Sequence, residues 1–318
     1  MLHMPNLIKG DPMDDVIVTR SISKSFGKVK AVDNVSLNVR KGEIYGFLGL
    51  NGAGKTTTIR MLLGMISPSS GEALINGQKT GPGNYKLLEK IGSLVEIPYA
   101  YAELTVTENL AITAKLKGQD SGRPVRGIIE KLRLTEYADR KAGQLSMGNA
   151  QRLGIAKAML GSPEILILDE PANGLDPAGI VEIRELLKSL ANDGSTIFIS
   201  SHILNEVSKI ATRIGIIHKG ALIEETDAAK LELMRKKTLH IRTADPDKAA
   251  ALLSKAKYET VLLPENTLMT TNEKAIKHPE KIAEILVKGG CPPSMLKLDE
   301  EDLEAYFLRL IGVERRAS

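Results

Sequence analysis

The chain has a single cysteine, Cys291, so it can form no disulfide within itself, and a reducing compartment is the expected setting. Beside Pro292 and Pro293, that lone thiol reads as a structural residue rather than a reactive one. No apolar run approaches the ~18 residues that a helix needs to cross a bilayer. Residues Met1 to Asp15 are polar, contain proline and glycine, and lack the long apolar core of a secretory leader. A cytoplasmic protein is expected, with any membrane role supplied by a partner. Lysine and arginine are dispersed, in clusters as short as Arg235-Lys236-Lys237, with no basic stripe interleaved with aromatics. Nucleic-acid binding is therefore not expected. Internal repeats and low-complexity tracts are also missing.

What is present fits a folded enzyme of more than one part. The 318 residues exceed one small domain, and the 42% hydrophobic and 26% charged fractions are ordinary for a globular chain. The net charge of +4 and pI near 8.9 suit an anionic nucleotide or a surface close to a membrane.

After a loose leader at 1–14, Asp15–Arg20 and Ala31–Arg40 alternate apolar and polar residues as half-buried strands do. Glu43–Leu48 is a more continuous apolar strand running into a glycine-rich turn, with a helix expected from about Thr56 to Leu63 and a short strand at Ala73–Asn76. From about Glu108 to Arg140 the pattern changes to helices broken at Gly122–Pro124. These read as an inserted helical subdomain, about 97–150. Short apolar strands return at Ile165–Leu168, Thr196–Ser200 and Ile214–His218, which points to a mostly parallel sheet covered on both faces. The region 15–230 is thus expected to be one α/β domain and 231–318 a small α+β module. The module's expected strands are Leu239–Arg242, Thr260–Leu263, Met269–Thr271 and Ser294–Leu298, with helices near Pro246–Lys257, Pro279–Val287 and Leu303–Leu310.

Two motifs carry the chemistry. Gly49-Leu50-Asn51-Gly52-Ala53-Gly54-Lys55-Thr56 matches G-x-x-x-x-G-K-[ST] between an expected strand and an expected helix, the context such a phosphate loop requires. Its glycines let backbone N–H groups curl around phosphates, and the helix N-terminus adds positive potential. Gly49, Asn51, Gly52, Ala53, Gly54, Lys55, Thr56 and Thr57 are the expected nucleotide contacts. Lys55 would neutralise the β- and γ-phosphates, and the Thr56 hydroxyl would ligate Mg²⁺. Further on, Ile165-Leu166-Ile167-Leu168-Asp169-Glu170 is an apolar strand ending in two carboxylates. Asp169 can reach Mg²⁺, and Glu170 is placed to polarise the water that attacks the γ-phosphate.

With both motifs in order, residues Val16 to Ile223 resemble the nucleotide-binding subunit of ABC transporters, which implies a P-loop NTPase fold, ATP and Mg²⁺. Five further features carry the resemblance. Phe26 matches the aromatic that stacks on adenine. Glu96 falls where the family usually has glutamine, and a carboxylate can still ligate Mg²⁺. Leu145-Ser146-Met147-Gly148-Asn149, followed by Gln151-Arg152, resembles the signature, with Met147 and Asn149 departing from it. Gly174-Leu175-Asp176-Pro177 matches the D-loop, and His202 follows a strand where the switch histidine sits. By this resemblance the signature helix starts after Ser146-Met147-Gly148, and Ser146 and Gly148 contact the γ-phosphate of ATP held by a second subunit. Asp176 couples the two sites, and His202 donates to the γ-phosphate.

The run Ile44-Tyr45-Gly46-Phe47-Leu48-Gly49-Leu50-Asn51-Gly52 and the trailing Leu303–Leu310 resemble subunits that pair with small export permeases, and Glu96 resembles the branch that exports bacitracin and lantibiotics. This implies a homodimer on the inner face of the cell membrane, joined to a permease on separate chains. The alternatives are a general multidrug, antibiotic or lipid exporter, and a soluble ABC ATPase acting on ribosomes or DNA. One cassette and no heptad run disfavour the last, and Lys55, Asp169, Glu170 and His202 disfavour an inactive module.

Overall fold

A computed structural model describes residues 15–96, 98–119 and 122–312; the expected leader at 1–14 lies outside them. Strands β1 (Asp15–Phe26) and β2 (Val29–Arg40) form an antiparallel hairpin, with Ile17, Ile22, Val35, Leu37 and Val39 buried. Both outrun the alternating stretches expected from sequence. The pairing shifts register several times, with Ser21 and Asn34 at φ near 50°. Each bulge moves the next side chain to the other face, so alternation lapses while the strand continues.

Strand β3 (Ile44–Leu48) is buried throughout and leads through the glycine-rich loop into helix α1 (Lys55–Leu62). β4 (Ser70–Ile75) and β5 (Gln78–Lys79) join the hairpin in a sheet of order β2-β1-β4-β5. After α2 (Tyr85–Leu88), β6 (Ile91–Leu94) is a strand the sequence pattern does not mark. Its Gly-Ser centre breaks any alternation, and Gly92 admits the Ala158 carbonyl where a side chain would collide.

Among the described residues the helical region holds the α-helices α3 (Val106–Leu116), α4 (Arg123–Lys131) and α5 (Met147–Met159). Helix α3 starts at Val106 because Thr105 and Glu108 cap it reciprocally, with Glu108 N donating to Thr105 Oγ1 at 3.1 Å and Thr105 N to Glu108 Oε2 at 2.7 Å. Gly122 caps α4, and the prolyl residue falls in its first turn, so the expected break is a helix start. The signature helix begins earlier than expected: Ser146 is its N-cap, and Met147 and Gly148 lie in its first turn. It also runs past 150, to Met159.

The main sheet is completed by β7 (Ile165–Asp169), β8 (Thr196–Ser201), β9 (Arg213–His218) and β10 (Ala221–Asp227), with α6 (Pro177–Asn192) and α7 (Leu204–Ser208) between them. Its order is β10-β9-β3-β8-β7-β6, parallel except where β10 turns back on β9. This P-loop order sets β3, which feeds the phosphate loop, beside β8, and β8 beside β7. Phe198 on β8 packs against Tyr45 and Phe47 of β3, each ring pair 5.4 Å apart. A buried aromatic of this size contributes a few kcal/mol, about 3 at most by area.

The chain divides into two units at Ala229/Lys230, within α8 (Ala228–Met234). The second unit has β11 (Lys237–Thr243), α9 (Pro246–Lys255), β12 (Val261–Leu263), β13 (Thr267–Thr270), α10 (Glu273–Lys277), α11 (Pro279–Lys288), β14 (Pro293–Glu300) and α12 (Leu303–Leu310). Its antiparallel sheet, β12-β13-β11-β14, packs Leu239, Ile241 and Leu268 against Leu253, Ile282 and Leu286 of the helices. Cys291 is buried in that core, its thiol 3.3 Å from the Asp245 carbonyl.

Candidate functional site

The phosphate loop is held open by glycine at two close approaches. A side chain on Gly49 would run into the Ile217 carbonyl, and one on Gly54 would stand 2.6 Å from the Ala31 carbonyl at a φ of 108°. Only glycine allows both. Gly54 then caps α1, so the next residues start the helix with their N–H groups free for an anion. Lys55 is buried, and its ammonium donates to the carbonyls of Gly49 at 2.7 Å and Leu50 at 3.2 Å. The loop therefore curls around its own lysine. Asn51 and Gly52 are exposed at the loop's tip, Ala53 is buried beneath it, and Thr57 is half-buried on α1.

Across the sheet, β7 and β8 run parallel with Asp169 level with Ser200. Asp169 is almost fully buried, and its two oxygens are both engaged. Oδ2 accepts from Thr56 Oγ1 at 2.7 Å, and Oδ1 accepts a short hydrogen bond from Ser200 Oγ. One residue on, Glu170 turns out of the strand through the left-handed region at φ 50°. Its N–H donates to Ser200 O at 3.2 Å and Ser200 Oγ at 3.1 Å, which holds that turn. The carboxylate lies 3.3 Å from Lys55 Nζ on one side. On the other, it accepts from His202 Nδ1 at 2.8 Å and His202 N at 3.2 Å. A carboxylate only accepts, so Nδ1 carries the proton. Lys55, Thr56, Asp169, Glu170 and His202, from three separated stretches of sequence, thus meet at one place.

Other expected site residues stand elsewhere. Phe26 is 51% exposed at the tip of the β1–β2 hairpin, with Lys24 Nζ over its ring at 5.3 Å from the centre, so it is an exposed aromatic and not core. Ser146 is exposed at the start of α5, where its Oγ accepts from Asn149 N at 3.3 Å and keeps its own proton for another acceptor. Gly148 lies against the Gly174 carbonyl, which joins signature and D-loop within one chain. Asp176 caps α6 through Gly179 N at 2.9 Å. Glu96, expected as a metal ligand, has its carboxylate 2.8 Å from Arg60. A charge in place of a neutral amide draws the nearest counterion.

Two contributors, Ser200 and Arg60, have no role in the sequence reading, and Gln151 enters it only beside the signature. Ser200 ties Asp169 to Glu170. Gln151, 3% exposed, donates to the Glu170 carbonyl at 3.2 Å and so links the signature helix to the turn. Arg60 engages Glu96. A hydroxyl two residues before His202, at the end of an expected strand, is the signal for Ser200; that this strand lies beside the one ending in Asp169 comes from the structure. Nothing local marks Arg60.

The residues present fit Mg²⁺. A hydroxyl and a carboxylate 2.7 Å apart are hard oxygen donors, and among the described residues no group of three or more His, Cys, Asp or Glu forms a metal cage. A single carboxylate plus substrate phosphates is how Mg²⁺ is usually held beside a nucleotide. Among the described residues no helix is long and apolar enough to cross a membrane.

A family model described as ABC transporter matches residues 32–173. The bacitracin transport ATP-binding protein BcrA of Bacillus licheniformis is 42% identical over 305 residues, which cover 94% of this chain and 98% of that one. The lantibiotic transport ATP-binding protein SrtF of Streptococcus pyogenes is 40% identical over 208 residues, or 65% of this chain and 89% of its own. Among solved structures, the dimeric ATP-binding cassette MJ0796, in a post-hydrolysis state bound to ADP and Pi, is 29% identical with a TM-score of 0.61. That match covers 67% of this chain and 98% of the cassette.

Proposed function

This chain belongs to the ABC transporter family as an ATP-binding, ATP-hydrolysing subunit, and from that premise we propose that it powers export of a peptide antibiotic, bacitracin- or lantibiotic-like, through a membrane permease on separate chains. The observation that carries the enzymatic part is the Glu170 carboxylate lying between Lys55 and His202, beside the Thr56–Asp169 pair. The peptide class rests on similarity to BcrA that runs through the second unit as well as the cassette.

In this reading Lys55 and the loop's N–H groups hold the β- and γ-phosphates, and Phe26 stacks on the adenine. Thr56 and Asp169 would hold Mg²⁺, which when bound offsets phosphate charge. Glu170 accepts a proton from the attacking water as its oxygen bonds to the γ-phosphorus and the bond to the β–γ bridging oxygen breaks, releasing ADP and phosphate. His202 donates a hydrogen bond to the γ-phosphate once its Nδ1–H is released from Glu170. Two copies close head-to-tail on two ATPs, with Ser146 and Gly148 of one copy meeting the γ-phosphate in the other and Asp176 lying between the sites. Closure follows because the shared phosphate binds the closed dimer more tightly, and hydrolysis removes that bridge. The dimer sits on the inner face of the membrane through its permease, and the helical region transmits the motion.

Glu170→Gln tests the assignment. ATP binding should persist, turnover should fall by roughly 10²–10⁴-fold, the usual size of a general-base contribution, and the dimer should stay closed in ATP. Normal turnover by this variant would remove Glu170 from the role. Co-expression with the permease should raise the bacitracin concentration cells tolerate, and Glu170→Gln should abolish that gain. Protection against unrelated drugs instead would favour the general exporter.

A further inference from the structure

Glu96 stands two residues beyond the end of β6, whose Leu94 is level with Leu168 of the parallel β7, so it leaves the sheet at the same end as Asp169 and Glu170. Its carboxylate has a counterion in place. Its Oε1 is 2.8 Å from Nη2 of Arg60. Arg60 is four residues beyond Thr56 on α1, one turn along the same helix face as the hydroxyl that meets Asp169. The direction of approach is set by the backbone, since Glu96 has a φ of 57° in the left-handed region. The two side chains are 39% and 52% exposed, too open for the pair to matter much to folding. Its consequence is electrostatic and local: a pair beside a polyanion presents no net charge, where a lone carboxylate presents a full negative one.

We propose that Arg60 is a positioning residue for Glu96, holding its carboxylate in a neutral pair at the rim of the phosphate site. The carboxylate then offers an oxygen without setting a further net negative charge against the bound triphosphate. This inference rests on the ATP-binding reading above. It has a signature that a structural role lacks. Repulsion from an unpaired Glu96 scales with ligand charge, and metal-free ATP carries roughly twice the negative charge of its Mg²⁺ complex. The loss on removing Arg60 is therefore larger without metal, and it requires the carboxylate.

The experiment is a titration of purified full-length chain with N-methylanthraniloyl-ATP, in EDTA and in excess Mg²⁺. The proteins are the parent, Arg60→Ala, Arg60→Lys, Glu96→Gln and the double variant, each checked for an unchanged thermal midpoint. Arg60→Ala should weaken binding by about tenfold in EDTA and about threefold in Mg²⁺. Arg60→Lys should stay within about twofold of the parent, because it keeps the counterion. In the Glu96→Gln background, Arg60→Ala should change affinity by less than about twofold. An equal loss in both backgrounds would show Arg60 acting on the nucleotide directly and overturn the proposal, as would no loss in either. Parent protein that binds no nucleotide, or Lys55→Ala that binds as tightly as the parent, would instead remove the reading beneath it. If Arg60→Ala does not fold, Arg60→Gln makes the same comparison.

Discussion

Ser200→Ala removes one hydroxyl and tests whether the Asp169–Glu170 turn is held from the neighbouring strand. Ser200 is fully buried, and its Oγ both donates to Asp169 Oδ1 and accepts from Glu170 N at 3.1 Å. After the change Glu170 N keeps the Ser200 carbonyl at 3.2 Å, and Asp169 keeps Thr56 on its other oxygen. The net loss is thus one hydrogen bond to a buried charge, about 2 kcal/mol. A unit ending at Ala229 moves in thermal midpoint by about 2–4 °C for each kcal/mol, so a fall of about 4–8 °C is expected. Turnover should drop further than binding. Glu170 sits in a left-handed turn that the hydroxyl helps to hold, and misplacing a general base acts on kcat. About a tenfold fall in kcat is expected, with KM for ATP within about twofold. Differential scanning fluorimetry and a phosphate-release assay measure both. A midpoint within about 1 °C of the parent together with unchanged kcat would refute the argument.

Two further outcomes follow from the same geometry. Gly54→Ala places a side chain against the Ala31 carbonyl at φ 108°, so the loop must shift; nucleotide affinity should fall by at least about tenfold, read by the same fluorescent titration. Glu43 is buried, and that desolvation raises its carboxyl above the ordinary 4.5, against the Arg40 N–H and the charges of Arg213 and Arg40. A carboxyl raised by folding favours its protonated form in the native state. Its contribution is therefore present below 4.5 and lost as pH rises through the folded value. Glu43→Gln should be the more heat-resistant protein at pH 7, by up to about 1 kcal/mol, and the advantage should vanish near pH 4.5. Equal gains at both pH values would contradict this.

Much of this protein is legible because its informative features are local. A loop of Gly49 to Thr56 after an apolar strand states its chemistry without reference to anything distant, and an apolar strand ending in Asp169-Glu170 does nearly the same. In the second unit, α12 occupies Leu303–Leu310 as its amphipathic pattern predicts. Legibility stops where an element depends on another. β1 continues to Phe26 because bulges keep it paired to β2, although its alternation has ended. β6 is a strand because β7 lies beside it, and α5 starts at Met147 because Ser146 happens to cap it.

The sequence alone determined the kind of fold and the residue types at its reacting centre, since glycine spacing, apolar runs and paired carboxylates act over a few neighbouring residues. The tertiary structure decided how those residues meet. Asp169 reaches Ser200 across 31 positions and Thr56 across 113, and Glu96 finds Arg60 from another strand end. Such contacts are set by strand order and parallel register. A one-residue slip of β7 or β8 would turn Asp169 or Ser200 to the opposite face.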